Sequence, residues 1–119
     1  MILLDDVILT NKTKKLVDIS SLARHLNITC VVSVQYPKIL INSAIRNNID
    51  IIFFNSLNYQ SAEAIYECIN THMRFNEFYK FLNEHNHEYQ FLCYNSTEKD
   101  KKDKIKIVKA NLIKNIKFK

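Results

Sequence analysis

The sequence predicts an α/β fold: a mostly parallel sheet flanked by helices, ending in a β-hairpin. Three observations carry this. Apolar, β-branched runs at 2–9, 28–34 and 49–54 alternate with segments of helical periodicity, the order that builds parallel strands joined by crossover helices. The run from Ile28 to Val34 is apolar on both faces, the pattern of a central strand covered by helices on each side. Late in the chain, Tyr89–Tyr94 and Ile105–Val108 flank a charged stretch, which reads as an antiparallel hairpin on the sheet's edge.

Each element has its own signal. Residues 2–9 form a strand interrupted by Asp5 and Asp6. Residues 12–26 place Leu16, Ile19, Leu22, Ala23 and Leu26 at helical spacing, with Thr10 or Asn11 as the cap. Gln35 closes the second strand. Pro37 then opens a helix over 38–47, in the first-turn position where a missing N–H costs nothing. After the third strand, 60–73 carries Ala62, Ile65, Ile69 and Met73 on one helical face. A break near 72–75 leads into a second helix over 75–84, with Phe75, Phe78 and Leu82. Residues 96–104 are a charged turn. Residues 109–119 fit either a short strand or a frayed helix, since Leu112, Ile113, Ile116 and Phe118 satisfy both periods.

Composition bounds the rest. A chain of 119 residues holds one domain, with residues 1–95 as its core and 96–119 as a charged turn and basic tail. It is 47% hydrophobic and 24% charged, which is globular composition. No apolar run approaches the roughly 20 residues of a membrane span, and no signal peptide is visible. Cys30, Cys68 and Cys93 lie far apart in apolar segments, as reduced core residues of a cytosolic protein. The net charge of +5 is concentrated: residues 98–119 hold nine lysines against three acids. That tail either meets nucleic acid electrostatically or is a solvated face that keeps an apolar strand soluble. Fourteen asparagines and no glycine point to a coding bias toward A and T, which weakens any argument from the lysines.

The residues with chemical potential gather at strand ends. Open α/β sheets bind ligands at the carboxyl ends of their strands. Asp5 and Asp6 stand where the first strand ends. One carboxylate with waters and substrate phosphates suffices for Mg²⁺, and a second acid can polarise an attacking water. The plain alternative is an acidic turn. Gln35, ending the next strand, can orient water or sense a terminal phosphate. Arg46 either contacts phosphate or another subunit, or neutralises a helix C-terminus. Arg24-His25 reads as a helix end, and His85-x-His87 as a surface turn. The aromatic residues sit at core periodicity and do not interleave with basic ones.

Taken in order, these features resemble a known family. An apolar strand ends in Asp-Asp; Arg24-His25-Leu-Asn-Ile28 ends a helix; an apolar strand ends in Gln35; a proline follows; Ile45-Arg-Asn-Asn48 precedes Ile51-Ile-Phe-Phe54. This is similar to the DNA-packaging ATPases of large nucleocytoplasmic DNA viruses, the poxvirus-type branch of the FtsK–HerA superfamily. The likeness covers about residues 1–95. It implies a partial P-loop (ASCE-type) domain in which Ile2–Asp6 is the Walker B strand. Asp5 would hold the Mg²⁺ shell and Asp6 would be the catalytic acid. Gln35 would be the polar sensor, and Arg46 would match an arginine of the segment that follows. The cofactors implied are Mg²⁺ and ATP. The partners implied are duplex DNA, capsid or portal proteins and fellow subunits of a ring. The location implied is the host cytoplasm, at the viral factory, or the virion.

One departure dominates. With no glycine, the chain has no phosphate-binding loop. In this family the strand bearing that loop lies between the strands at 28–34 and 49–54. Either those two strands close up against each other, or a further segment fills the gap. The expectation is therefore a C-terminal piece of a split, truncated or decayed gene, with the Walker A segment supplied by another chain or lost, and no ATP hydrolysis by this chain alone. The alternatives are a small non-enzymatic α/β interaction protein and a nucleic-acid binder acting through the lysine-rich tail.

Overall fold

A computed structural model describes residues 1–5, 13–38 and 42–110. The described elements are β1 (Ile2–Leu4), α1 (Thr13–His25), β2 (Cys30–Val32), α2 (Ser43–Arg46), β3 (Ile51–Phe54), α3 (Tyr59–Cys68), α4 (Phe75–Glu84), β4 (Gln90–Asn95) and β5 (Ile105–Lys109). This is a mixed α/β fold in which β1 and β2 form a parallel pair and β3, β4 and β5 form a separate antiparallel sheet in that order. The predicted C-terminal hairpin is β4–β5. The mostly parallel sheet is not what forms: only β1–β2 is parallel, and β3 takes the antiparallel β4 as its neighbour. The strands at 28–34 and 49–54 have not closed up against each other.

The helix ends show how a chain without glycine manages its turns. After α1, Asn27 takes φ 53°. The Ile28 N–H then donates to the Ala23 carbonyl at 2.8 Å and the Asn27 N–H to the Arg24 carbonyl at 3.3 Å. This is a left-handed helix cap, with asparagine in the place glycine usually fills. The helix expected over 38–47 is different. Among the described residues it begins only at Ser43, because Asn42 is extended and its side chain accepts from the Ala44 N–H at 2.9 Å. Asn58 caps α3 in the same way, accepting from the Ser61 N–H at 2.8 Å. α3 stops at Cys68, five residues earlier than its apolar spacing implies, since Ile69 is extended. α4 matches its expected limits, and Glu77 accepts from the Arg74 N–H at 2.9 Å to fix its start.

One apolar core joins all of this. Phe78, Leu82 and Leu92 are its fully buried centre, packed with Phe54, Ile65 and Leu16. The Phe54 and Phe78 rings lie 6.0 Å apart, and Tyr66 packs on Phe78 at 5.6 Å. Each such large side chain contributes roughly 1.5–3 kcal/mol by leaving water. Leu4 and Val32 pack against the same core as Ile52, so both sheets turn one face toward it. The other face is open. Leu3 and Val31 are exposed, as are Ile51 and Phe53. The second strand is thus covered on one side, not both. Among the described residues, the buried helix side chains Leu16, Ile45, Ile65, Phe78 and Leu82 form one cluster with Phe54, and Leu4 and Val32 pack against it.

The basic turn and hairpin are held locally. Asp100 accepts from the Lys102 N–H at 3.0 Å, and Lys106 pairs with Glu98 at 2.9 Å. The expected tail at 111–119, the caps Thr10 and Asn11, and residues 39–41 of the second helix lie outside the described residues.

Candidate active site at the strand ends

β1 and β2 run in parallel with Leu4 beside Val32, and the Ser33 N–H donates to the Leu4 carbonyl at 2.9 Å. Asp5 follows β1 directly, and Gln35 lies three residues beyond β2. Both therefore leave the sheet at the same end, and both are exposed. Asp6 lies outside the described residues. A strand–helix–strand unit dictates this arrangement, because a parallel register brings the carboxyl ends of both strands to one edge.

Arg46 is placed elsewhere. Arg24, in the last turn of α1, bonds Asp50 at 2.7 Å. Asp50 immediately precedes β3, so β3 begins at the end of the molecule where β2 also begins. Arg46, on the short helix leading into β3, stands at that end, away from Asp5 and Gln35. Its Nη1 reaches the Glu67 carbonyl in the last turn of α3 at 3.4 Å. A cation beside unsatisfied helix carbonyls is favourable, so the arginine serves a helix C-terminus, though of α3 and not of its own helix.

A cleft of about 260 Å³ lies beside Arg46, lined also by Ile52, Cys68 and Tyr94. Burial pushes the Cys68 thiol above its ordinary pKa, against the opposing pull of Arg46. The thiol is therefore protonated at neutral pH and is a poor nucleophile. The Tyr94 hydroxyl accepts from the Asn70 N–H at 3.1 Å, which satisfies the first peptide group beyond the α3 cap. The cleft thus reads as packing around a helix end.

Among the described residues no group of three or more His, Cys, Asp or Glu side chains could hold a metal ion. Asp5 supplies one described carboxylate. A magnesium–nucleotide site takes one or two carboxylates and fills the remaining positions with phosphates and water, so the single acid fits that chemistry without completing it. Nor is any helix among the described residues long and apolar enough to cross a membrane.

Sequence reasoning missed two features. The Arg24–Asp50 pair is one, since nothing local links residues 26 apart. The open apolar face is the other. Ile51-Ile-Phe-Phe54 is apolar throughout, so nothing in it distinguishes a strand open on one face from one buried on both. No protein-family model matches the chain, and neither a curated protein nor a solved structure matches it.

Proposed function

We propose that this chain is the C-terminal part of a viral DNA-packaging ATPase of the poxvirus-type, FtsK–HerA class, and that alone it does not hydrolyse ATP. One observation carries the reading: the acid ending β1 and the amide ending β2 emerge together from a parallel pair. In this reading Asp5 binds the water shell of Mg²⁺. Asp6 takes a proton from the attacking water, and Gln35 orients that water against the terminal phosphate. Arg46, at the other end of the strands, has no part in this pocket. The triphosphate side comes from a glycine-rich loop on a segment other than these residues. The parent assembly drives duplex DNA into a capsid as a ring, at the viral factory.

Steady-state phosphate release from the purified chain with Mg²⁺ and ATP tests this. The expected rate is indistinguishable from buffer. Turnover that disappears in the Asp5→Ala, Asp6→Ala double variant would disprove the claim of incompleteness. A second reading, a small α/β interaction protein, is favoured by the exposed apolar sheet face. In that case Asp6→Asn leaves partner binding unchanged, whereas the ATPase reading makes Asp6 matter once the missing loop is supplied.

A further inference from the structure

The register of the antiparallel sheet assembles a surface whose members the sequence keeps apart. Successive side chains of a strand take opposite faces. Gln90, Leu92 and Tyr94 of β4 are buried, so Phe91, Cys93 and Asn95 take the outer face. Phe53 of β3 stands opposite Cys93, and Ile51 opposite Asn95. On the other side of β4, Lys106 of β5 stands opposite Cys93, and Val108 opposite Phe91. Ladder partners share a face of the sheet, so these side chains are neighbours on one surface. Neither Phe53 nor Phe91 has a lysine beside it in the sequence; the pairing brings Lys106 to both. Phe53 is 61% exposed and Phe91 40%, high values for a side chain that is usually buried.

Spacing, charge and size each narrow what this surface fits. Phe91 lies two residues from the ladder partner of Phe53, so the two are diagonal neighbours about 7–8 Å apart. That is about twice the roughly 3.4 Å rise of a duplex strand. Two bases therefore reach both rings only when they are drawn out of a duplex stack. From Ser96 to Lys109 the hairpin carries six lysines against three acids, which suits a polyanion. Lys106 pairs with Glu98 at 2.9 Å, but both side chains meet solvent, so a phosphate can take the acid's place. Lys99, Lys101 and Lys102 are exposed on the turn. Three strands about 4.8 Å apart and five residues long span on the order of 250 Å². By itself that is well short of the roughly 800 Å² per partner of a stable protein complex. The turn from Ser96 to Lys104 has no large apolar side chain to enter a lipid surface. Asn95 spends its side-chain carbonyl on the Thr97 N–H and hydroxyl, at 3.0 and 2.7 Å. The face then offers a ribose 2′-hydroxyl no side-chain oxygen among these residues, which favours deoxyribose.

We propose that the outer face of β3, β4 and β5 binds single-stranded DNA. One base stacks on Phe53 and a neighbouring base on Phe91, while Lys106 and the turn lysines hold the phosphates. Stacking of this kind tolerates any base, because every base has a π-face. The proposal goes beyond the nucleotide reading, and its ligand differs from the duplex of the packaging assembly.

Fluorescence anisotropy of a labelled oligothymidylate of about 12 nucleotides, titrated with the full chain without Mg²⁺ or ATP, tests it. Binding should saturate and weaken as salt rises. Phe53→Leu and Phe91→Leu keep charge and apolar bulk, and each should weaken binding by about tenfold. Phe53→Tyr keeps a ring and should bind like the parent chain. Lys106→Gln should weaken binding and reduce the slope against log salt by about 0.7. A duplex of the same length and an oligouridylate should both bind more weakly. Should Phe91→Leu not fold, Phe53→Leu, at the more exposed site, carries the test. Binding unchanged in Phe53→Leu would assign it to the lysines alone and overturn the proposal. So would tighter binding of the duplex or the oligouridylate, or capture by phosphatidylserine vesicles without binding of the oligothymidylate. None of these outcomes bears on ATP hydrolysis.

Discussion

β4 lies between two hydrogen-bonded neighbours with α3 and α4 packed across one face; among the described strands, β1 and β2 pair only with each other. Both regions are short apolar strands followed or preceded by amphipathic helices, so local propensity is comparable. What differs is how many partners each strand finds within these residues. The antiparallel half closes its own ladders and buries Phe78, Leu82 and Leu92. The parallel half contributes Leu4, Val32 and Leu16 to the core but leaves Leu3 and Val31 in water. Stability in a sheet comes from neighbours on both sides and from covered faces. The two halves therefore differ in burial: the antiparallel half supplies the fully buried centre of the core and the parallel half its partly exposed margin.

The comparison can be broken most directly at its centre. Phe78→Ala removes the ring against which Phe54 and Tyr66 pack, and should cost about 3–5 kcal/mol in urea denaturation. That is a large share of the roughly 5–15 kcal/mol of a typical domain. Leu3→Ala, on the open face, should stay within about 0.5 kcal/mol of the parent chain. Equal losses at the two sites would mean that the parallel pair is as much a part of the core as β4.

A smaller effect is expected at the junction of α3 and β4. Tyr94→Phe leaves the ring in place and removes the acceptor of the Asn70 N–H, which should lower stability by about 0.5–1.5 kcal/mol. The same region sets an alkaline limit. Burial raises the Cys68 and Cys93 thiols above their ordinary pKa. A group whose folded pKa is raised keeps its full contribution below the unfolded value and loses it as pH climbs through the folded one. Melting temperature should thus hold through neutral pH and fall on the alkaline side, and Cys68→Ala should make that fall shallower.

The smallest effect is expected at the clasp between the halves. Arg24 and Asp50 are each half-exposed, so Asp50→Asn should cost under about 1 kcal/mol, and less still in high salt. A larger loss would show that the clasp, and not the shared core, holds β2 and β3 in place.

Particular residues show why some of this was legible. Phe75, Phe78 and Leu82 repeat at helical spacing, and α4 follows them to its limits. Ile69 and Met73 keep the same spacing, yet α3 ends before them, because the Asn70 N–H finds Tyr94 across the fold, 24 residues away. Pro37 marks a helix start, but the side chain of Asn42 supplies the cap that the short α2 uses. That Asp5 and Gln35 leave the sheet at the same end was readable because a strand–helix–strand unit has a single common outcome. Arg46 was not, since its position depends on which end of the sheet receives it.

By itself the sequence determined the order and kind of the elements, the hairpin, and the exit of Asp5 and Gln35 at one sheet end, since periodicity, caps and crossover handedness act over short spans of chain. Only the tertiary structure decided that β3 would pair with β4 and share no ladder with β2, and that Leu3, Val31, Ile51 and Phe53 would stay exposed. Those outcomes depend on contacts between distant segments. A β-branched run has the same local pattern whether one neighbour or two will lie beside it.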